Sequence, residues 1–211
     1  MRFNALRFAA PLAFAAAFAA GAAAAQDLKI ATSVPYLGFP FFVHMQNELN
    51  AEAEALGNIE VVNYDGQNQT PKQTADVEAA VVSGVDGIVI SPIDAVAMAP
   101  ALSQAVDAGI PVVTIDRRVE GVEGILAHVG ADNVKGGEAQ ANLIIEKFPD
   151  GARIVNLQGQ PGASPAIDRN QGLHNVLDPV KDKYQIVAEQ TANFAREEGA
   201  SVTESILAGL D

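Results

Sequence analysis

Apolar residues in this chain fall into short unbroken runs, separated by longer stretches in which they recur every third or fourth position. The first pattern suits strands buried in a sheet, the second helices with one buried face. The clearest run is 110–115 within GIPVVTIDR (109–117), which ends abruptly in Asp116 and Arg117. Pro111 is tolerated where a strand begins. A run of this kind predicts a strand covered on both faces of a parallel sheet. The ionic pair then lands at its carboxyl end, where open α/β sheets bind ligands. The competing reading is a salt-bridged surface turn.

The alternation predicts strands at 28–32, 59–64, 87–91, 112–115 and 126–129. Helices are predicted at 41–56, 70–83 and 96–108. In the first helix Phe42, Met45, Leu49, Ala53 and Leu56 share a face. Thr70 and Pro71 suit a helix cap and first turn. Past Gly130 the rhythm continues with helices at 133–147 (capped by Asp132 or Asn133), 164–177 and 196–208. Strands are predicted there at 153–157 and 184–188. Strands alternating with helices imply right-handed parallel crossovers, an α/β doubly wound fold. Two strands make a meagre second sheet, because sheets usually hold about 4–6. The expected division is residues 1–25, a first lobe at 26–130 and a partial, truncated second lobe at 131–211.

Residues 1–25 read as a secretory signal peptide: basic Arg2 and Arg7, an Ala-rich apolar stretch over 8–20, and small Ala23 and Ala25 before Gln26. A membrane anchor is the alternative, but the stretch falls short of the ~20 residues a spanning helix needs. No cysteine occurs anywhere. That removes a lipid anchor, a disulfide framework and thiolate chemistry. With 211 residues, 49% hydrophobic, there is material for a sizeable core. A net charge of −13 argues against a nucleic-acid partner. An exported, periplasmic protein is expected.

Candidate chemistry converges at the carboxyl ends of the first-lobe strands. Tyr36, Phe39, Phe41 and Phe42 crowd one loop, and aromatic faces pack against the C–H face of a sugar ring. Asp116 and Arg117 supply charge-assisted acceptors and donors for hydroxyls. By spacing alone, Phe42 belongs to the helix core and Phe41 to the pocket. Enzyme readings find little support. His44, His128 and His174 are scattered without metal-ligand spacing, and His128 suits a satisfied sheet histidine. No nucleophile elbow or phosphate loop is present, so no cofactor or metal is expected. The Gly136–Gly137 pair suits close helix packing. Asp65 and Asp94 end strands but lack partners for acid–base work.

FPFF (39–42), GVDGIVISPID (84–94), GIPVVTIDR, VGADNVKGG (129–137) and LQGQPGASPAIDRNQG (157–172) occur in an order and spacing that resemble the sugar-binding proteins of ABC transporters, the ribose-binding-protein-like group of type I periplasmic binding proteins. The resemblance implies that group's fold, with first-lobe strand order 2-1-3-4-5. It implies capture of a small carbohydrate by hinge closure and delivery to a membrane permease. A sensor module for a chemoreceptor or histidine kinase is the alternative. The same core occurs in LacI-type repressors, but an export signal stands where their DNA-binding head would be. Carried over by position, the ligand contacts are Phe41, Phe42, Ser91, Asp116, Arg117 and Phe194, which moves Phe42 from core to pocket. Ile167 stands where the ribose pattern has a gripping Arg. Arg169 instead matches the galactofuranose-binding branch. This departure argues against ribose itself, and the resemblance implies a small carbohydrate, whether a pentose, a hexose, a furanose sugar or a polyol. The resemblance also implies that the chain is a fragment with impaired binding.

Overall fold

A computed structural model describes residues 27–210. The expected export signal lies outside the described residues. The first unit contains β1 (Leu28–Val34), α1 (Pro40–Leu56), β2 (Ile59–Asp65), α2 (Thr70–Val82), β3 (Gly87–Ile90), α3 (Ala99–Asp107), β4 (Val112–Ile115) and β5 (Ala127–Val129). Its five strands form one parallel sheet in the order β2-β1-β3-β4-β5. The second unit contains α4 (Asn133–Lys147), β6 (Ala152–Gln158), α5 (Ser164–Leu177), a 3₁₀ turn (Asp178–Val180), β7 (Tyr184–Thr191) and α6 (Arg196–Ala208). Here β6 and β7 pair in parallel. Both the alternation and the strand order expected of the first unit are present.

The main core joins Ala31, Ile88, Ile90 and Val112 of the sheet to Val77 and Ala80 of α2 and to Met98, Leu102 and Ala105 around α3. Burying a side chain such as Leu102 contributes about 1.5–3 kcal/mol. Coverage of β4 is uneven. Val112 and Thr114 are buried, but Val113 and Ile115 are only partly covered. The neighbouring β5 is the sheet edge and is exposed throughout, so burial of β4 on both faces is not realised. In α1, Phe42 and Ala53 are buried while Leu56, in the last turn before Gly57, is exposed.

Two helix starts depart from the pattern. The α3 helix begins at Ala99 rather than at residue 96, because Asp94 Oδ1 accepts from the Val96 and Ala97 amides and holds a turn there. Thr70 is the first residue of α2 rather than its cap; that position falls to Gln69, which makes no side-chain capping bond. Asp132 does cap α4, accepting from the Lys135 amide at 3.0 Å.

The second core is small: Ala141, Ile154, Leu173, Leu177 and Tyr184. It depends on an unusually close crossing of α4 and α5. A Cβ on Gly137 would lie 2.1 Å from the Arg169 carbonyl oxygen, and one on Gly172 would lie 2.0 Å from that of Val134. Only glycine lets the two backbones meet so closely.

Candidate functional site

The site is built from three turns at the carboxyl ends of strands, each carrying non-glycine residues at positive φ. Beyond β4, Arg117 N donates to Ile115 O at 2.7 Å across Asp116, whose φ is 61°. This is a γ-turn of the rarer, strained kind. Asp116 N in turn donates to Val129 O of β5 at 2.8 Å. After β7, Ala195 N donates to Ala192 O at 2.8 Å, with Asn193 and Phe194 at φ 51° and 59°. After β2, Gln69 N donates to Gly66 O at 2.9 Å, with Gln67 and Asn68 at φ 51° and 57°. Both four-residue turns have the paired positive φ of type I′ geometry. Strain of this sort persists where the surroundings over-determine it and gathers at ligand sites.

The turns after β4 and β7, with the starts of α1 and α5, enclose a cleft of about 360 Å³ lined by Phe39, Pro40, Phe41, Phe42, Asp116, Arg117, Pro165, Arg169 and Phe194, while the turn after β2 stands outside this lining. Of the residues singled out in the sequence, Phe41, Phe42, Asp116, Arg117, Arg169 and Phe194 share this cleft. Ser91 does not line it; the residue is wholly buried, and its hydroxyl faces Asp116 without closing a full hydrogen bond. Ile167 does not line it either and is exposed. Phe41 is open to solvent, at 55%, whereas Phe42 is 3% exposed yet still presents its ring to the cleft. Its core and pocket readings thus both describe it.

Arg117 is 2% exposed. Its guanidinium carbon lies 5.2 Å from the centroid of the Phe42 ring and 5.6 Å from that of Phe194, within cation–π range of both. Nη1 donates to Ile93 O at 3.2 Å and to Gln160 Oε1 at 3.1 Å. Nε stands 3.9 Å from Asp116 Oδ2. Burial pushes the Arg117 pKa down to about 10 against the attraction of Asp116, so the group stays charged at neutral pH. Burial raises the pKa of Asp116, opposed by Arg117, Arg169, His128 and the Ser91 hydroxyl. Arg169 is steadied by Asn133, which accepts from its Nε at 2.8 Å.

One supporting residue, Gln73, was not marked by the sequence pattern. Gln73 is fully buried in α2; its Nε2 donates to Ser33 Oγ and Ser91 O, and its Oε1 accepts from Ile93 N at 2.7 Å. It therefore fixes the loop whose carbonyl holds Arg117. A glutamine on the inward face of α2, in line with Val77 and Ala80, is the signal that could have marked it. Asp65 and Asp94 accept from backbone amides, at Leu37 and Gln67 and at Val96 and Ala97. His128 shares a 2.9 Å hydrogen bond with Thr114. Among the described residues no cluster of acidic or histidine side chains could hold a metal ion, and no helix is long and apolar enough to cross a membrane.

This cleft has aromatic walls, one carboxylate and two guanidiniums, which suits a small hydroxylated ring. The chain is 41% identical over 184 residues to the ribose import binding protein RbsB of Bacillus subtilis, covering 87% of this chain and 59% of that one. It is 34% identical over 164 residues to the galactofuranose-binding protein YtfQ of Escherichia coli, covering 76% and 51%. Among solved structures, a Caulobacter myo-inositol binding protein bound to myo-inositol superposes with a TM-score of 0.83 at 38% identity, covering 88% of this chain and 62% of that one. The chain thus spans about three-fifths of the length of such relatives. The family defined by the periplasmic binding protein domain matches residues 30–211, and the chain belongs to that family.

Proposed function

We propose that this chain forms the first lobe and part of the second lobe of the substrate-binding component of an ABC-type carbohydrate importer. It captures a small sugar or polyol in the periplasm between residues 26–130 and residues 131–211, and delivers it to a membrane permease. The observation that carries this reading is the convergence of Phe41, Phe42 and Phe194 on Asp116, Arg117 and Arg169 in one cleft. Aromatic faces take the C–H side of the ring, and the charged groups take its hydroxyls. The relatives named for ribose, galactofuranose and myo-inositol support a five- or six-membered polyhydroxylated ring. Arg169 lines the cleft and Ile167 does not, which favours a furanose hexose or a cyclitol over ribose.

Titration calorimetry against D-ribose, D-galactose, a galactofuranoside and myo-inositol tests this. Heat should be seen with at least one ring, lost in Asp116→Ala and Arg117→Ala, with no chemical turnover of the ring. Binding that survives both substitutions, or turnover of any of these compounds, overturns it.

A further inference from the structure

Gln160 lies in the loop that follows β6, in the second unit, yet both ends of its side-chain amide bond to groups of the first. Oε1 accepts from Arg117 Nη1 at 3.1 Å, and Nε2 donates to Asn68 Oδ1 at 2.8 Å. Asn68 is delivered by the turn after β2, at a φ of 57°. That turn is braced twice: Asn68 N donates to Pro35 O at 2.8 Å, and Gln67 N donates to Asp65 Oδ1 at 2.9 Å. Arg117 is held symmetrically. From the first unit it receives the Ile93 carbonyl and the Phe42 ring; from the second it receives the Gln160 carbonyl and the Phe194 ring. Separating the units would strip half of these partners from a buried cation.

We propose that Gln160 is a positioning residue: it ties the two units together through Arg117 and Asn68, so that closing the cleft and aiming the Arg117 guanidinium are one event. Each of these bonds joins one protein group to another, so the tie stabilises the closed arrangement independently of a ligand. A protein whose binding-competent state is only partly populated loses affinity in proportion to that fraction, and Gln160 enlarges it. Neighbouring contacts run the same way. Ala95 N donates to Gly162 O at 2.9 Å, and Arg118 N donates to Ser164 Oγ at 2.9 Å. Arg118 also pairs with Asp168. Gln160 differs from these in touching the cleft's own cation. The inference deepens the capture reading and rests on it only for the affinity measurement below.

Because the chain has no cysteine, Glu52→Cys on α1 and Lys181→Cys at the far end of the second unit, both exposed, give a clean dye pair. Single-molecule energy transfer without sugar should show a closed population. Gln160→Ala should move the open-to-closed ratio toward open by roughly tenfold, the loss expected for one hydrogen bond to a charged group. Asn68→Ala should act in the same direction, and the double variant should fall short of the product of the two, because they share one bridge. Gln160→Glu should stay closed: its carboxylate still accepts from Arg117, and the Asn68 amide can turn to donate. A parent chain that is wholly open without sugar overturns the proposal, as does a Gln160→Ala chain with an unchanged distribution. Calorimetry with D-ribose, D-galactose, a galactofuranoside and myo-inositol on the same variants separates the two readings. If none of these rings binds, the capture reading falls while the energy-transfer result still decides the role of Gln160. If a ring binds, Gln160→Ala should weaken it by about the same factor.

Discussion

Asp116 sits at positive φ, partly buried, beside a cation and at the edge of a cleft, and its raised pKa says which of these influences wins. Burial raises it against the attractions of Arg117, Arg169 and His128, so loss of water outweighs them. The sign follows from linkage. The favourable contribution of the protonated carboxyl is complete below its ordinary pKa of 3.8 and is lost as pH rises through the higher folded value. At neutral pH the ionised group therefore burdens the fold. Asp116→Asn, which also tolerates positive φ well, should melt higher than the parent at pH 7 without sugar, by roughly 2 °C. The gap should shrink at pH 4, and sugar binding should be lost. Thermal melts at the two pH values check this; a lower melting temperature at pH 7 would show that Arg117 needs its counter-ion more than the fold needs relief. Asp116 and Arg117 were legible because an apolar run stopped at them. Gln160 and Asn68 were not, because their partnership spans 92 positions and neither lies in a periodic stretch.

Much of the first unit could be read almost directly, since β3 and β4 are short apolar runs and α2 and α3 each have a buried stripe. What the periodicity missed was decided by single polar atoms. Asp94 delays α3 by bonding two amides. In the second unit a polar seam joins α5 to β7. His174 Nδ1 lies 2.9 Å from Asp178 and its Nε2 lies 3.0 Å from Glu189, which also accepts from Asn156. Only the doubly protonated ring can donate to both carboxylates. The Asp178 hydrogen bond is the main cause of its raised pKa, with Glu189 adding to it against partial burial. Its stabilising contribution is therefore complete below 6.5 and is lost as pH rises through the elevated folded value. His174→Gln should lower the melting temperature at pH 5.5 by about 1–3 °C, the scale of a partly exposed ion pair, and hardly at all at pH 9. An equal loss at both values would assign His174 a packing role instead.

At the scale of the whole molecule, the first sheet is five strands wide and the second two, and this asymmetry bears on affinity. Among the described residues the cleft's charged anchors are Asp116, Arg117 and Arg169. A hydrogen bond to a charged group is worth about 1.5–3 kcal/mol net, so three such anchors reach roughly 5–9 kcal/mol. Loss of translational and rotational freedom takes back about 4 kcal/mol or more, and the aromatic walls return only part of that. Micromolar binding needs about 8 kcal/mol. We therefore expect this 211-residue chain to bind its ring more weakly than micromolar, even with Gln160 favouring closure. Calorimetry on the purified chain, carried to millimolar ligand, measures this directly. A dissociation constant of micromolar or tighter for any ring in the panel would mean that these three anchors and their aromatic walls suffice. It would also mean that the two-stranded second unit holds Arg169 and Phe194 as firmly as a wider sheet would.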